Sequence, residues 1–267
     1  MPGYSAVLRE LLNVVPSATF LAGFTLFALL LSLAIFGLMR RHLPHFTRGD
    51  DNELGGITIG VVGGLYGFTL AFVIVTLWVG FDRAQSVVST EASGLATVVR
   101  DASSFPPGPR AAILTAVSAY LHSVRTDEWD AMRHGGYSTQ SLAAFDEIYH
   151  QLSVYQPSDP SAVAFYADAV GRLSEANQAR RERIDIAKTT IPGALFFLIF
   201  AGAGVVASLM SVMGTQNSRI QVVMLFAITS FVAFNLALAV LLDYPYSGDL
   251  AVSSQPFASG VLAQFFR

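Results

Sequence analysis

Four long apolar runs organise the chain. They cover about 18–39, 54–79, 191–213 and 220–242, and none contains a charged residue. Each reaches the roughly 20 residues that a helix needs to cross a hydrocarbon core of about 30 Å. Nothing in that core bonds an exposed amide, so each run is expected to be a helix. The first run is closed by Arg40, Arg41 and His42. It is longer than the roughly 7–15 apolar residues of a signal-peptide core, and Arg9 and Glu10 before it do not make a basic leader. It reads as a retained span. The spans come as two hairpins, joined by Arg40 to Glu53 and by Gly214 to Arg219.

Between the hairpins the pattern changes. From Asp82 to Ser104, apolar residues recur at Ala84, Val87, Val88, Leu95, Val98 and Val99, a stripe with the helical period. Only Gly80 separates it from the second span, so one rod is expected to leave the membrane and continue in water. Pro106, Pro107, Gly108 and Pro109 stop it. A second helix is expected from about Arg110, with Ile113, Leu114, Val117, Tyr120, Leu121 and Val124 inward and Gly135-Gly136 as its C-cap. A third runs from about Thr139 to Val154. A fourth begins near Ser161 and runs into the third span, with Pro192 kinking the junction. No segment alternates with period 2. Pro245 and Gly248 predict a turn after the fourth span. Val252, Phe257, Val261, Leu262 and Phe265 can then dock on the bundle or lie in the membrane interface.

The expected fold is an all-α integral membrane protein with four transmembrane helices. Its parts are an N-terminal hairpin (1–80), a water-exposed helical bundle (81–190), a C-terminal hairpin (191–242) and a tail (243–267). Composition agrees. The 267 residues are 53% hydrophobic and 13% charged, about half the charge of an ordinary soluble domain. Mean hydropathy is +0.52. A net charge of −3 implies no basic face for nucleic acid, and without cysteine there is no disulfide, thiol catalysis or thiolate metal site.

Enzyme signatures are missing. No Gly-rich loop precedes a Lys-Ser or Lys-Thr pair, and Gly-x-Ser-x-Gly is absent. Gly202-Ala-Gly204-Val-Val-Ala207 resembles a dinucleotide fingerprint only formally, because it lies inside a span with no strand before it. His42 and His45 flank Pro44 without an acidic third ligand. Asp127-Glu128 and Asp146-Glu147 are sequential, so they read as solvated surface. No catalytic residue, metal ligand or cofactor site is expected.

The unusual features lie near the membrane. Gly56, Gly60 and Gly64 stack four residues apart in the second span, with Gly63 and Gly67 beside them. Glycine at that spacing lets helix backbones approach closely. The ladder is either a packing face or the lining of a pore. Phe68, Phe72 and Val75 continue the stripe and suit a constriction that gates by dewetting. Arg180, Arg181, Arg183 and Lys188 precede the third span. They suit a salt-bridged face with Glu182 and Asp185, contact with anionic head groups, or an electropositive vestibule. Asp243 is expected to pair with one of them. Asn235 is expected to bond across helices.

Three segments carry a resemblance. Leu70-Ala-Phe72-Val-Ile-Val75 followed by Trp78, Phe81, Asp82 and Glu91-Ala92 resembles the core signature of a bacterial membrane family described as bestrophin-like. Arg180 to Ile184 leading to Ile191-Pro192 resembles its approach to the third span. Leu242 to Leu250 with Pro256-Phe257 resembles its C-terminal motif, with Tyr244-Pro245-Tyr246 where the family usually has Arg-Pro-Phe. The resemblance covers about 60–266. It implies kinship with pentameric chloride channels. Two functions stand open: a homo-oligomeric channel with the second span on its axis, passing small anions, or a membrane-anchored interaction or sensory module without a pore. Membrane lipids and further copies of the chain are the expected partners.

Four spans put both termini and the bundle on one side. Arg9, Arg83, Arg172, Arg180, Arg181, Arg183 and Lys188 lie near the span ends on that side, against Arg40, Arg41, Arg48 and Arg219 on the other. The excess of basic residues favours the cytoplasm, hence an inner (plasma) membrane protein with a cytoplasmic bundle. A reporter fused after Arg267 is expected to be active only if it works in the cytoplasm; periplasmic activity inverts the topology.

Overall fold

The computed structural model describes residues 2–42, 52–212 and 218–267. The two hairpin connections, with His45 and Arg48, fall largely outside the described residues. Within them there is no strand. Nine α-helices follow in order: α1 (Pro2–Val14), α2 (Ser17–His42), α3 (Asn52–Asp101), α4 (Pro107–Ser123), α5 (Trp129–Arg133), α6 (Thr139–Val154), α7 (Pro160–Lys188), α8 (Gly193–Val212) and α9 (Ser218–Asp243). Four of them, α2, α3, α8 and α9, are long and apolar enough to cross a membrane. The expected rod exists as α3, 50 residues without a break. Two expectations need correction. Helices α7 and α8 are separate, because Thr189 is extended and helix resumes only at Gly193, after Pro192. The amphipathic α1 had no counterpart in the apolar pattern.

The chain divides into two compact units. One holds residues 1–14, 81–190 and 244–267; the other holds 15–80 and 191–243. The first is the helical bundle. Its core joins Val88, Leu95 and Val98 of α3 to Ile113, Val117 and Leu121 of α4, Phe145 and Ile148 of α6, and Leu173 of α7. Small residues let α7 lie close to α3. A Cβ on Gly94 would sit 2.9 Å from the Arg172 carbonyl oxygen and 3.0 Å from the Ala176 Cβ. Between α4 and α5 the helix loosens over Val124–Glu128, where the Trp129 N–H reaches the Val124 carbonyl five residues back. Gly135 ends α5 at φ +78°, with N–H bonds from Gly135 to the Met132 carbonyl and from Gly136 to the Ala131 carbonyl. That is a Schellman cap.

The tail docks on the bundle. Val252, Phe257 and Leu262 are buried in its core, with Val261 and Phe265 packed against it. Trp129 Nε1 donates to the Val252 carbonyl at 3.2 Å, and the Tyr246 hydroxyl to the Ala84 carbonyl at 3.2 Å. The expected turn closes with Gly248 at φ +83°. Asn13 of α1 clamps it: its Oδ1 accepts from the Gly248 N–H at 3.0 Å, and its Nδ2 donates to the Arg133 carbonyl at 3.2 Å.

In the second unit α2 packs on α8 and α9. Ser32 and Thr229 pair their hydroxyls at 3.1 Å, and Arg40 donates to Gln221 Oε1 at 2.9 Å. Asn235 donates to the Phe231 carbonyl on its own helix, so the expected bond across helices is replaced by a local one. Asp243 Oδ1 accepts from the Ile191 N–H at 2.8 Å. The end of the fourth span is thus tied to the start of the third through the main chain. Tyr66 of α3 buries its ring against α8 and donates to the Ile199 carbonyl at 3.0 Å. A Cβ on Gly202 would lie 2.6 Å from that ring. Glycine is required there by the close approach, which disposes of the nucleotide-like spacing. Gly202→Ala is expected to cost about 1–3 kcal/mol through overpacking, read as a lower melting temperature in detergent. An unchanged value would mean that the Tyr66 ring swings aside freely.

Candidate functional site: the open face of α3 and a buried ion cluster

Helix α3 has two faces. Tyr66, Leu70, Val73 and Leu77 are buried, three and four residues apart. On the other side Phe68 is 76% exposed and Phe72 68%, with Val75 and Val79 also exposed. Gly56, Gly60 and Gly64 are exposed above them. A methyl group placed on Gly60, Gly63, Gly64 or Gly67 would meet nothing within 4 Å. Among the described residues, therefore, nothing of the same chain packs on Gly60, Gly63, Gly64 or Gly67. The register 68, 72, 75, 79 continues along the same helix through Asp82, Ser86, Ser89 and Ser93, all exposed, to Arg100. The face changes from glycine to large apolar to small polar without losing its spacing.

The basic residues before the third span part company. Arg181 and Lys188 are exposed, Lys188 with its ammonium over the Tyr137 ring at 4.4 Å. Arg180 and Arg183 are not surface groups. They lie on the inward stripe of α7 with Leu173, Ala176 and Ala187, 3% and 0% exposed. This corrects the expected juxtamembrane face. Arg183 forks onto Glu91 of α3, Nε to Oε2 at 2.8 Å and Nη2 to Oε1 at 3.1 Å, and reaches Glu128 Oε1 at 3.3 Å. Arg180 bonds Glu128 Oε2 at 2.9 Å. The Ser138 N–H also donates to Glu128, and the Tyr120 hydroxyl donates to Glu91. Both carboxylates are fully buried. Glu128 thus overturns the expectation of a solvated Asp127-Glu128 pair; it follows Val117, Leu121 and Val124 on the inward stripe.

Burial and neighbouring charge act on Arg183 and Tyr120. Burial alone would lower the Arg183 pKa, but Glu91, the Tyr120 oxygen and Glu128 together hold it above its ordinary value. Burial, then the charge of Glu91, push Tyr120 well up, so it stays a donor. The indole of Trp129 and the ring of Phe257 flank the Arg183 guanidinium at 5.2 and 5.8 Å. Apart from the buried Arg180 Nε, which has no hydrogen-bond partner, the cluster is paired, and an arrangement of this kind holds elements in place. Among the described residues no group of three or more His, Asp or Glu is placed to hold a metal ion. The sequence pattern had one signal for this site: Glu91 interrupts an apolar stripe that runs from Ala84 to Val98.

Removing one partner leaves the others charged and unpaired. Arg183→Met is expected to destabilise the chain by about 3–5 kcal/mol, read as loss of the thermal transition or a large fall in its midpoint in detergent. An unshifted midpoint would mean that Glu91 and Glu128 find other partners.

A family model, described as a bestrophin-like domain, matches residues 26–257. No curated protein matches the chain. Among solved structures, a mutant form of a bacterial bestrophin homologue from Klebsiella pneumoniae superposes with a TM-score of 0.62 at 15% identity, over 92% of this chain and 97% of that one. A second mutant of the Klebsiella pneumoniae homologue gives 0.65 at 14% identity, over 92% and 99%. A structure described as a membrane protein gives 0.66 at 12% identity, over 92% and 97%. At these identities the neighbours share the fold. The family model covers most of the chain, and it is on that ground that this four-span helical membrane protein belongs to the bestrophin-like family.

Proposed function

We propose that the chain assembles as a homo-oligomer around α3 and forms a channel for small anions, without enzymatic activity. The observation that carries this reading is the open face of α3: a glycine ladder and the pair Phe68 and Phe72 lie exposed, turned away from the packed stripe of Tyr66, Leu70, Val73 and Leu77. A repeated heterologous contact between copies closes into a ring when its rotation closes. In such a ring the α3 face surrounds the axis. Phe68, Phe72 and Val75 then form the narrow apolar stretch, which gates by dewetting. The ring edges of Phe68 and Phe72 carry positive partial charge, which suits an anion passing edge-on. The polar register of Ser86, Ser89 and Ser93 continues the path in water. The excess of basic residues near the span ends supports a cytoplasmic bundle and termini, with the chain in the inner membrane.

Two substitutions test this in planar bilayers. Phe72→Ala is expected to raise unitary conductance or open probability several-fold, because it widens the dewetted stretch. Gly64→Leu is expected to leave the assembled mass unchanged and to reduce flux, because its side chain enters the lumen. An assembled protein that is silent as wild type and as Phe72→Ala would remove the channel reading and favour a pore-free interaction module.

A further inference from the structure

Inside the membrane unit a cavity of about 200 Å³ lies between α2, α8 and α9. Its wall is apolar, with Phe24, Phe200, Ala207 and Val232 among the lining residues. Ser32 and Thr229 are the hydroxyls in the wall, and one donates to the other at 3.1 Å. Every other lining side chain is apolar. Phe27 and Leu31 belong both to the lining and to the exposed surface of α2, so the cavity has its mouth on the flank of that helix. The solvent on that flank is hydrocarbon.

The mouth leads along one helix face to a cation. Phe27, Leu31, Ala34, Leu38 and Arg41 follow one another at spacings of four and three, and all are exposed. Ten residues separate Leu31 from Arg41, or about 15 Å at 1.5 Å per residue. That is half of a hydrocarbon core of about 30 Å. When Arg41 lies at the membrane boundary, the mouth lies near the midplane. Arg40 is held by Gln221 at 2.9 Å and stacks on Phe36 at 4.7 Å, which leaves Arg41 as the outward-facing charge of the last turn.

We propose that this unit binds an anionic phospholipid of the leaflet at the C-terminal end of α2. Its phosphate sits at Arg41, one acyl chain follows Leu38, Ala34 and Leu31, and the chain end enters the cavity. The length match and the charge at its end select this occupant. The site is independent of whether the protein conducts.

The test uses the purified full chain in a neutral detergent. Thermal unfolding is followed with palmitoyl-oleoyl phosphatidylglycerol, with the phosphatidylcholine of the same chains, and with dihexanoyl phosphatidylglycerol. Lipid retained by the protein is weighed by native mass spectrometry. Long-chain phosphatidylglycerol is expected to raise the midpoint by several degrees, and the other two much less. Gly204 lines the cavity, and a Cβ there meets nothing within 4 Å. Gly204→Leu is therefore expected to fold, to fill the space and to abolish the shift and the retained lipid. Ala207→Leu provides a second way to fill it. Arg41→Gln is expected to erase the preference for phosphatidylglycerol over phosphatidylcholine. The proposal is overturned by no shift in the wild type, by an equal shift with the short-chain lipid, or by a shift that persists in a folded cavity-filled variant.

Discussion

The buried fork between Arg183 and Glu91 is the contact on which the bundle depends. Both side chains are fully buried, one on α7 and one on α3. Each ion costs several kcal/mol to remove from water, and only good geometry with satisfied lone pairs offsets that. Glu128, Arg180, Tyr120 and the Ser138 amide complete the set. The cluster joins α3, α4, α7 and the turn before α5. An arrangement of this kind rewards one register of α3 against α7 and penalises every slip, since a slip would strand a charge. Gly94 fixes the depth of the same crossing, because no side chain fits between the helices there.

That rigidity bears on the open face of α3. In the bundle the polar register of Ser86, Ser89 and Ser93 lies opposite the stripe that carries Glu91. Pinning one stripe orients the other. The apolar register of Phe68, Phe72 and Val75 belongs to the same helix.

Much of this was legible in the chain itself. The spans show because uncharged runs of that length have few other uses, and α6 and the rod of α3 show because their apolar residues keep the helical period without a breaker. Docking of the tail was legible in Val252, Phe257 and Leu262. The ion cluster was not. Its partners are 92 and 55 residues apart in the chain, and no local period links them. Arg180 and Arg183 looked like a surface run because Arg181, Glu182 and Asp185 alternate with them and do face water. Glu128 was misread for a different reason: its place next to Asp127 in the chain read as a solvated pair, although it follows Val117, Leu121 and Val124 on the inward stripe. The family resemblance pointed at Glu91 without giving its role.

The five-residue turn at Val124–Glu128 has a consequence for how this chain can vary. A turn of that kind holds one more residue than an α-helical turn, and the surplus sets the phase of everything after it. Loss of a single residue there would tighten the helix and rotate the following side chains by about 100°. Glu128 and Trp129 would leave the guanidinium that they now face. Lengths elsewhere, as in the exposed connection after α6, carry no such phase. Insertions and deletions among relatives should therefore be absent from this turn even where the residues within it have drifted, which makes its length a more durable mark of this architecture than its sequence.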